Sequence, residues 1–172
     1  MRPRDQEGPP ASDFRELMSR FPTGVAIVTT VDDRNDPVGM TCSSLTSVCV
    51  TPPTLLVCLH TAGTTLRAAR ARRAFSVNLL EADARRVAEV FSASGQDRFG
   101  AVGWRRSPMG MPWLDETVAV ADCAVVRMDK VGDHTVVYGE VASLAVREGR
   151  PLLYGMRNFV QSSVDWFGTK VS

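Results

Sequence analysis

The chain has 172 residues, enough for one domain with a sizeable core, and 44% hydrophobic against 23% charged residues is an ordinary globular composition. A formal net charge of +1 leaves no basic surplus to neutralise phosphates, which argues against nucleic acid as the main partner. No apolar run approaches the ~20 residues of a membrane-spanning helix, so no membrane partner is expected.

The start, MRPRDQEGPPASD, is charged and Pro-rich and has no secretory apolar stretch. Residues 1–12 read as a disordered lead-in and 13–172 as one domain. Ser12 and Asp13 followed by FRELMSRF predict a capped helix, with Phe14, Leu17, Met18 and Phe21 at helical spacing. Pro22 and Gly24 stop it. Residues 24–31 are β-branched and read as a strand, 32–37 as a turn, and 38–48 as the returning strand of a hairpin. Pro52 and Pro53 break the chain before a buried strand at 54–60.

Residues 61–74 read as a loop entering an Ala/Arg-rich helix, 75–80 as a strand, and 82–94 as a helix with Val87, Val90 and Phe91 on one side. The Gly/Pro/Trp-rich stretch 95–116 reads as irregular. Its apolar part, with Trp104, Met109, Met111 and Trp113, either covers a barrel end or serves as a lid or, preferably, a dimer contact. Two long strands, 117–131 and 134–146, flank a Gly-Asp turn, and 151–154 is a short last strand. About seven strands with single helices between them, and no regular β-α-β alternation, predict a mainly antiparallel, nearly closed barrel with peripheral helices.

Four cysteines, Cys42, Cys49, Cys58 and Cys123, form no C-x-x-C pair, and His60 and His134 are far apart, so no metal site is expected. Free thiols fit a reducing cytoplasm. Dinucleotide, P-loop and G-x-S-x-G signatures are absent.

What remains is GMTCSSLTSVCVTPP (39–53), in which Ser, Thr and Cys fill eight of fifteen positions. On an extended strand Thr41, Ser43, Leu45 and Ser47 point one way, and Cys42, Ser44, Thr46 and Val48 the other. Such hydroxyls either serve the edge of a planar heterocycle such as flavin or satisfy neighbouring backbone. Gly63, Thr64 and Thr65 open a predicted helix, where free N–H groups and the dipole suit a phosphate, with Arg67 nearest of the following arginines. GDHT (132–135) reads as a turn, or as an imidazole held at the barrel rim.

In order, FPTGVAIVTT, GMTCSSLTSVCVTPPTLLVCL, FSVNLL and VGDHTVVYGEV resemble the short-chain flavin reductases, the NAD(P)H:flavin oxidoreductase components of two-component monooxygenases. The resemblance runs from Phe14 to Tyr154. It implies a mainly β, antiparallel Greek-key split barrel of the FMN-binding type, forming a cytoplasmic homodimer with flavin near the subunit interface. It implies FMN or FAD, NADH or NADPH, and a partner monooxygenase that receives reduced flavin.

By the same resemblance, Thr41, Cys42, Ser43, Ser44, Leu45, Ser47 and Val48 line the isoalloxazine and ribityl chain. Ala62, Gly63, Thr64 and Thr65 meet the phosphate, and Ser94 approaches the flavin. Gly132, Asp133 and His134 border the nicotinamide, which His134 orients, with no residue acting as acid or base. Cys49 stands where the family commonly has Ser. Arg157 and Phe159 stand where it often has Gly and Tyr, which leaves the choice between NADH and NADPH open. A protein that keeps FMN for another acceptor, or a non-enzymatic flavin- or haem-binding barrel, are the alternatives.

Overall fold

The computed structural model describes residues 8–93 and 97–160. Its strands are β1 (Thr23–Gly24), β2 (Ala26–Val31), β3 (Pro37–Cys42), β4 (Thr46–Val50), β5 (Pro53–His60), β6 (Ala74–Leu80), β7 (Trp104–Arg106), β8 (Pro112–Leu114), β9 (Thr117–Val131), β10 (His134–Val146), β11 (Leu153–Gly155) and β12 (Asn158–Val160). The helices are α1 (Ala11–Ser19), α2 (Thr64–Arg72) and α3 (Arg85–Ser92).

Seven strands form one antiparallel sheet in the order β3-β2-β6-β9-β10-β5-β4. The sheet curls around Val28, Val57, Leu59, Phe75, Val77 and Val137, with Leu66 of α2 packed into the same cluster. Burying these side chains supplies the main driving force, at roughly 25 cal/mol per Å² of apolar surface. Phe75 fills the middle of the barrel because Gly139 faces it. A Cβ at 139 would lie 2.6 Å from the Phe75 ring, and the β9–β10 register shifts at that point. A second cluster packs Val87, Ala88 and Phe91 of α3 on Ile27 and Leu80.

No backbone ladder joins the two ends of the sheet. The barrel is split between β3 and β4, and the Ser44 hydroxyl spans the gap to β5. It accepts from Cys58 N–H at 2.9 Å and donates to Cys58 C=O at 3.1 Å.

The predicted single strand 38–48 is therefore two. β3 pairs with β2 as expected, but the chain leaves the ladder at 43–45, and β4 joins β5 at the other edge. The alternation expected along 41–48 does not hold across that break. α1 begins at Ala11, inside the expected lead-in, and Pro10, not Ser12 or Asp13, occupies its N-cap. None of its residues is buried.

The stretch 95–116 holds the β7–β8 hairpin. Met111, Trp113 and Leu114 are buried there, so this part covers the barrel rather than offering a contact surface. The fully buried Asp122 carboxylate fastens it, accepting from Trp113 Nε1 at 2.8 Å, Met109 N–H at 3.2 Å, Ser143 Oγ at 2.9 Å and Ser76 Oγ. The strand expected at 151–154 is β11, which pairs with β1 and with an unexpected β12 in a separate three-stranded sheet.

Candidate functional site

The break after β3 makes the site. Ser43 lies exposed where the sheet ends and borders two cavities of about 540 and 550 Å³. The first is lined by Thr41, Ser43, Ser92, Tyr154 and Phe159 among others. The second takes in Ser44, Thr46, Leu56, Cys58 and Tyr154. Thr41 Oγ donates to Ala88 C=O at 2.8 Å, so this hydroxyl ties β3 to α3.

Further along β3 is a third cavity of about 220 Å³, lined by Val38, Gly39, Thr64, Arg98 and Phe99. Arg98 donates to Gly39 C=O at 2.7 Å and to Ala93 C=O, pinning the chain after α3 against β3. Thr64 also borders a fourth cavity of about 490 Å³ with Asp32, Asp33 and Arg67. Cavities thus follow β3 from Ser43 to the start of α2.

That helix start suits an anion. Gly63 N–H is held by His60 C=O at 2.8 Å, and Arg67 N–H by Gly63 C=O at 3.2 Å. Gly63, at the N-cap, has no side chain to cap the N–H groups between them. The close turn also needs a small residue, because a Cβ at 63 would meet His60 C=O at 3.0 Å.

Asp133 and His134 stand at the start of β10, after Gly132 in the left-handed region at φ 59°. His134 Nδ1 lies 2.8 Å from Asp133 Oδ1. Hydrogen bonding to His134 and its charge hold the Asp133 carboxyl below its ordinary range, with His60 adding to the effect. His60 is the register partner of His134, and their rings meet edge to face at 5.5 Å. Its Nδ1 accepts from Ala62 N–H at 3.3 Å, linking the rim to the α2 turn.

Several expected residues stand elsewhere. The Cys42 thiol is in the core, 3.1 Å from Ser44 Oγ, and burial pushes its pKa up. The Thr65 side chain is buried, which leaves Thr64 to present a hydroxyl. Leu45 packs partly against the core while bordering the second cavity. Ser47 and Val48 are exposed on β4 and border none of the four cavities. Ser94 lies outside the described residues.

His60, Arg98 and Tyr154 were not among the site residues expected from the sequence, and Phe159 entered only as a departure from the family's tail pattern. For His60 a signal existed: it ends one predicted strand as His134 begins another, so antiparallel pairing of those ends brings them together.

A family model described as flavin reductase like domain matches residues 18–163. This chain belongs to that family. A flavin reductase (NADPH) of Lentzea aerocolonigenes is 56% identical over 151 residues, covering 87% of this chain and 88% of that one. HsaB of Rhodococcus jostii, the reductase subunit of a flavin-dependent monooxygenase, is 36% identical over 142 residues, covering 82% and 72%. The solved structure of Streptomyces globisporus NADH:FAD oxidoreductase SgcE6, in complex with NAD and FAD fragments, matches with a TM-score of 0.85 at 31% identity. It covers 94% of this chain and 99% of that one. The split-barrel fold and the flavin reductase family expected from the four sequence segments are both found.

Proposed function

We propose that the cavities along β3 hold FMN or FAD beside NADH or NADPH, and that this flavin reductase hands reduced flavin to a partner monooxygenase. The observation that carries the reading is Ser43, which opens onto two cavities at the break in the sheet, just past β3, whose far end shares a cavity with the uncapped start of α2. The donor set fits the group. The exposed Ser43 hydroxyl and the backbone at the break suit a heterocycle edge, and Thr64 with the α2 N–H groups suits a phosphate. When bound, the flavin and nicotinamide supply the hydride chemistry themselves.

The protein's share is position. Thr41 and Ser43 line the first cavity together with the rings of Tyr154 and Phe159. His134, braced by Asp133 and His60, borders and orients the nicotinamide. Holding two rings at reacting distance replaces an improbable encounter with a unimolecular step.

A homodimer is part of the proposal. Phe14, Leu17, Met18 and Phe21 on α1, Val48 and Val50 on β4, and Leu144 and Val146 on β10 are exposed apolar side chains, which favour burial against a second copy. Four free cysteines support a cytoplasmic location, and no helix among the described residues is long and apolar enough to cross a membrane. Residues 13–172 are read as one domain, as the extent of the family match supports.

The test is loss of 340 nm absorbance from NADH and from NADPH, with and without added FMN, FAD or riboflavin. Turnover that saturates with added flavin is expected. Turnover indifferent to added flavin, in a protein that carries its own, would point to a retained FMN serving another acceptor. Failure to bind flavin at all would sink the reading.

A further inference from the structure

The second cavity differs in charge from the first. Arg15 of α1 and Arg157 of the β11–β12 turn line it, and no carboxylate among the described residues does. Arg157 Nη2 reaches Glu16 Oε2 at 3.3 Å, but Glu16 also holds Arg20 at 3.0 Å through its other oxygen. Arg15 has no ion-pair partner among the described residues. Of the two guanidinium groups lining this cavity, one is thus without an ion pair among the described residues and the other shares its carboxylate with Arg20. Its remaining wall mixes apolar and aromatic side chains (Met18, Phe21, Leu56, Tyr154) with hydroxyls such as Ser19 and Thr23.

The backbone at Arg157 is a second, independent observation. Met156 and Arg157 join β11 to β12 with φ of 51° and 61°. A two-residue hairpin with both central residues at positive φ prefers Asn-Gly or Asp-Gly, since left-handed backbone is unfavourable for long side chains. Here the unfavourable positions carry Met and Arg, and the arginine is directed to the cavity. Local strain of this kind points towards function.

Position agrees. Leu56, Cys58 and His60 alternate with the buried Val57 and Leu59, so they share the outer face of β5. Leu56 and Cys58 wall the cavity, and His60 touches His134. At about 3.3 Å per residue, the cavity begins roughly 7 Å along the strand from the nicotinamide residues.

Resting on the flavin reductase reading above, we propose that this cavity takes the phosphorylated adenosine end of the pyridine nucleotide. Arg15 and Arg157 grip its 2′-phosphate, and the enzyme prefers NADPH to NADH. The guanidinium fork matches a phosphate, and such charge-assisted bonds are the strong ones.

The test compares binding of 2′,5′-ADP and 5′-AMP by calorimetry on the full chain, with kcat/KM for NADPH and NADH beside it. Wild type binds 2′,5′-ADP more tightly than 5′-AMP by roughly tenfold to a hundredfold, the range of a charged hydrogen bond. Arg15→Gln and Arg157→Asn each shrink that preference, and the NADPH-to-NADH ratio of kcat/KM falls with it. Asn tolerates the left-handed backbone at 157, so the turn is kept. Equal binding of the two probes by wild type, or a preference that survives both substitutions, overturns the proposal. So does a loss seen between FAD and FMN instead of between NADPH and NADH, which would give the cavity to the flavin's adenylate. Absence of NADH oxidation in wild type with any flavin would be the separate failure of the reductase reading.

Discussion

Ser44 Oγ holds both backbone polar groups of Cys58, its N–H at 2.9 Å and its C=O at 3.1 Å. One hydroxyl stands in for a strand where the barrel is split. Ser44→Ala leaves two part-buried backbone groups without that partner. A loss of about 1–3 kcal/mol in urea unfolding is expected. Unchanged stability with weakened flavin binding would instead make Ser44 a ligand-contacting group.

Ser43 is the complementary case. It is exposed and borders both large cavities. Ser43→Leu is expected to raise the KM for flavin while moving unfolding stability by no more than about 0.5 kcal/mol, as for other exposed substitutions. Unaltered flavin and nicotinamide kinetics would remove the strand break from the site.

Asp133 gives a pH prediction. Its folded pKa is lowered, first by the hydrogen bond to His134 and by that residue's charge. The interaction is thus complete above the unfolded value of about 3.9 and is lost as pH falls through the lower folded value. Carboxyl NMR of Asp133 is expected to titrate below about 3.9 in wild type and to move up in His134→Ala. An identical midpoint in both proteins would dissolve the pair.

The thiols should react in an order set by burial. Cys49 is exposed, Cys58 half-buried, and Cys42 and Cys123 buried. Burial pushes the Cys123 pKa up to about 12 and also raises that of Cys42, so both remain neutral thiols at pH 8. With a chromogenic disulfide reagent, Cys49 reacts first and Cys58 more slowly, while Cys42 and Cys123 wait for denaturant. Simultaneous reaction of all four in native buffer would contradict this packing.

The strands at 54–60, 75–80, 117–131 and 134–146 were legible because apolar or β-branched side chains mark them and turn residues bound them. The break at 43–45 was not. Ser43 and Ser44 are alike in polarity to Thr41 and Thr46, so nothing in the pattern marks where the ladder stops. β12 escaped notice because Asn158, Phe159 and Val160 are too few to show alternation, and the turn before them lacks Gly. Of the site, the hydroxyl strand, the α2 start and the GDH turn could be read. Arg98 and Arg15 could not, since an arginine's partners across the fold leave no trace in local spacing.

The seam at Ser44 also bears on access to the proposed site. A closed barrel must pull strands apart to admit a flat ring to its wall, whereas here the sheet already ends at Ser43 and a single side chain crosses the gap. A ring arriving there needs no strand to separate. On the proposed reading, loading and release are then matters of diffusion and local contact, as suits a reductase that hands on its reduced flavin at every cycle.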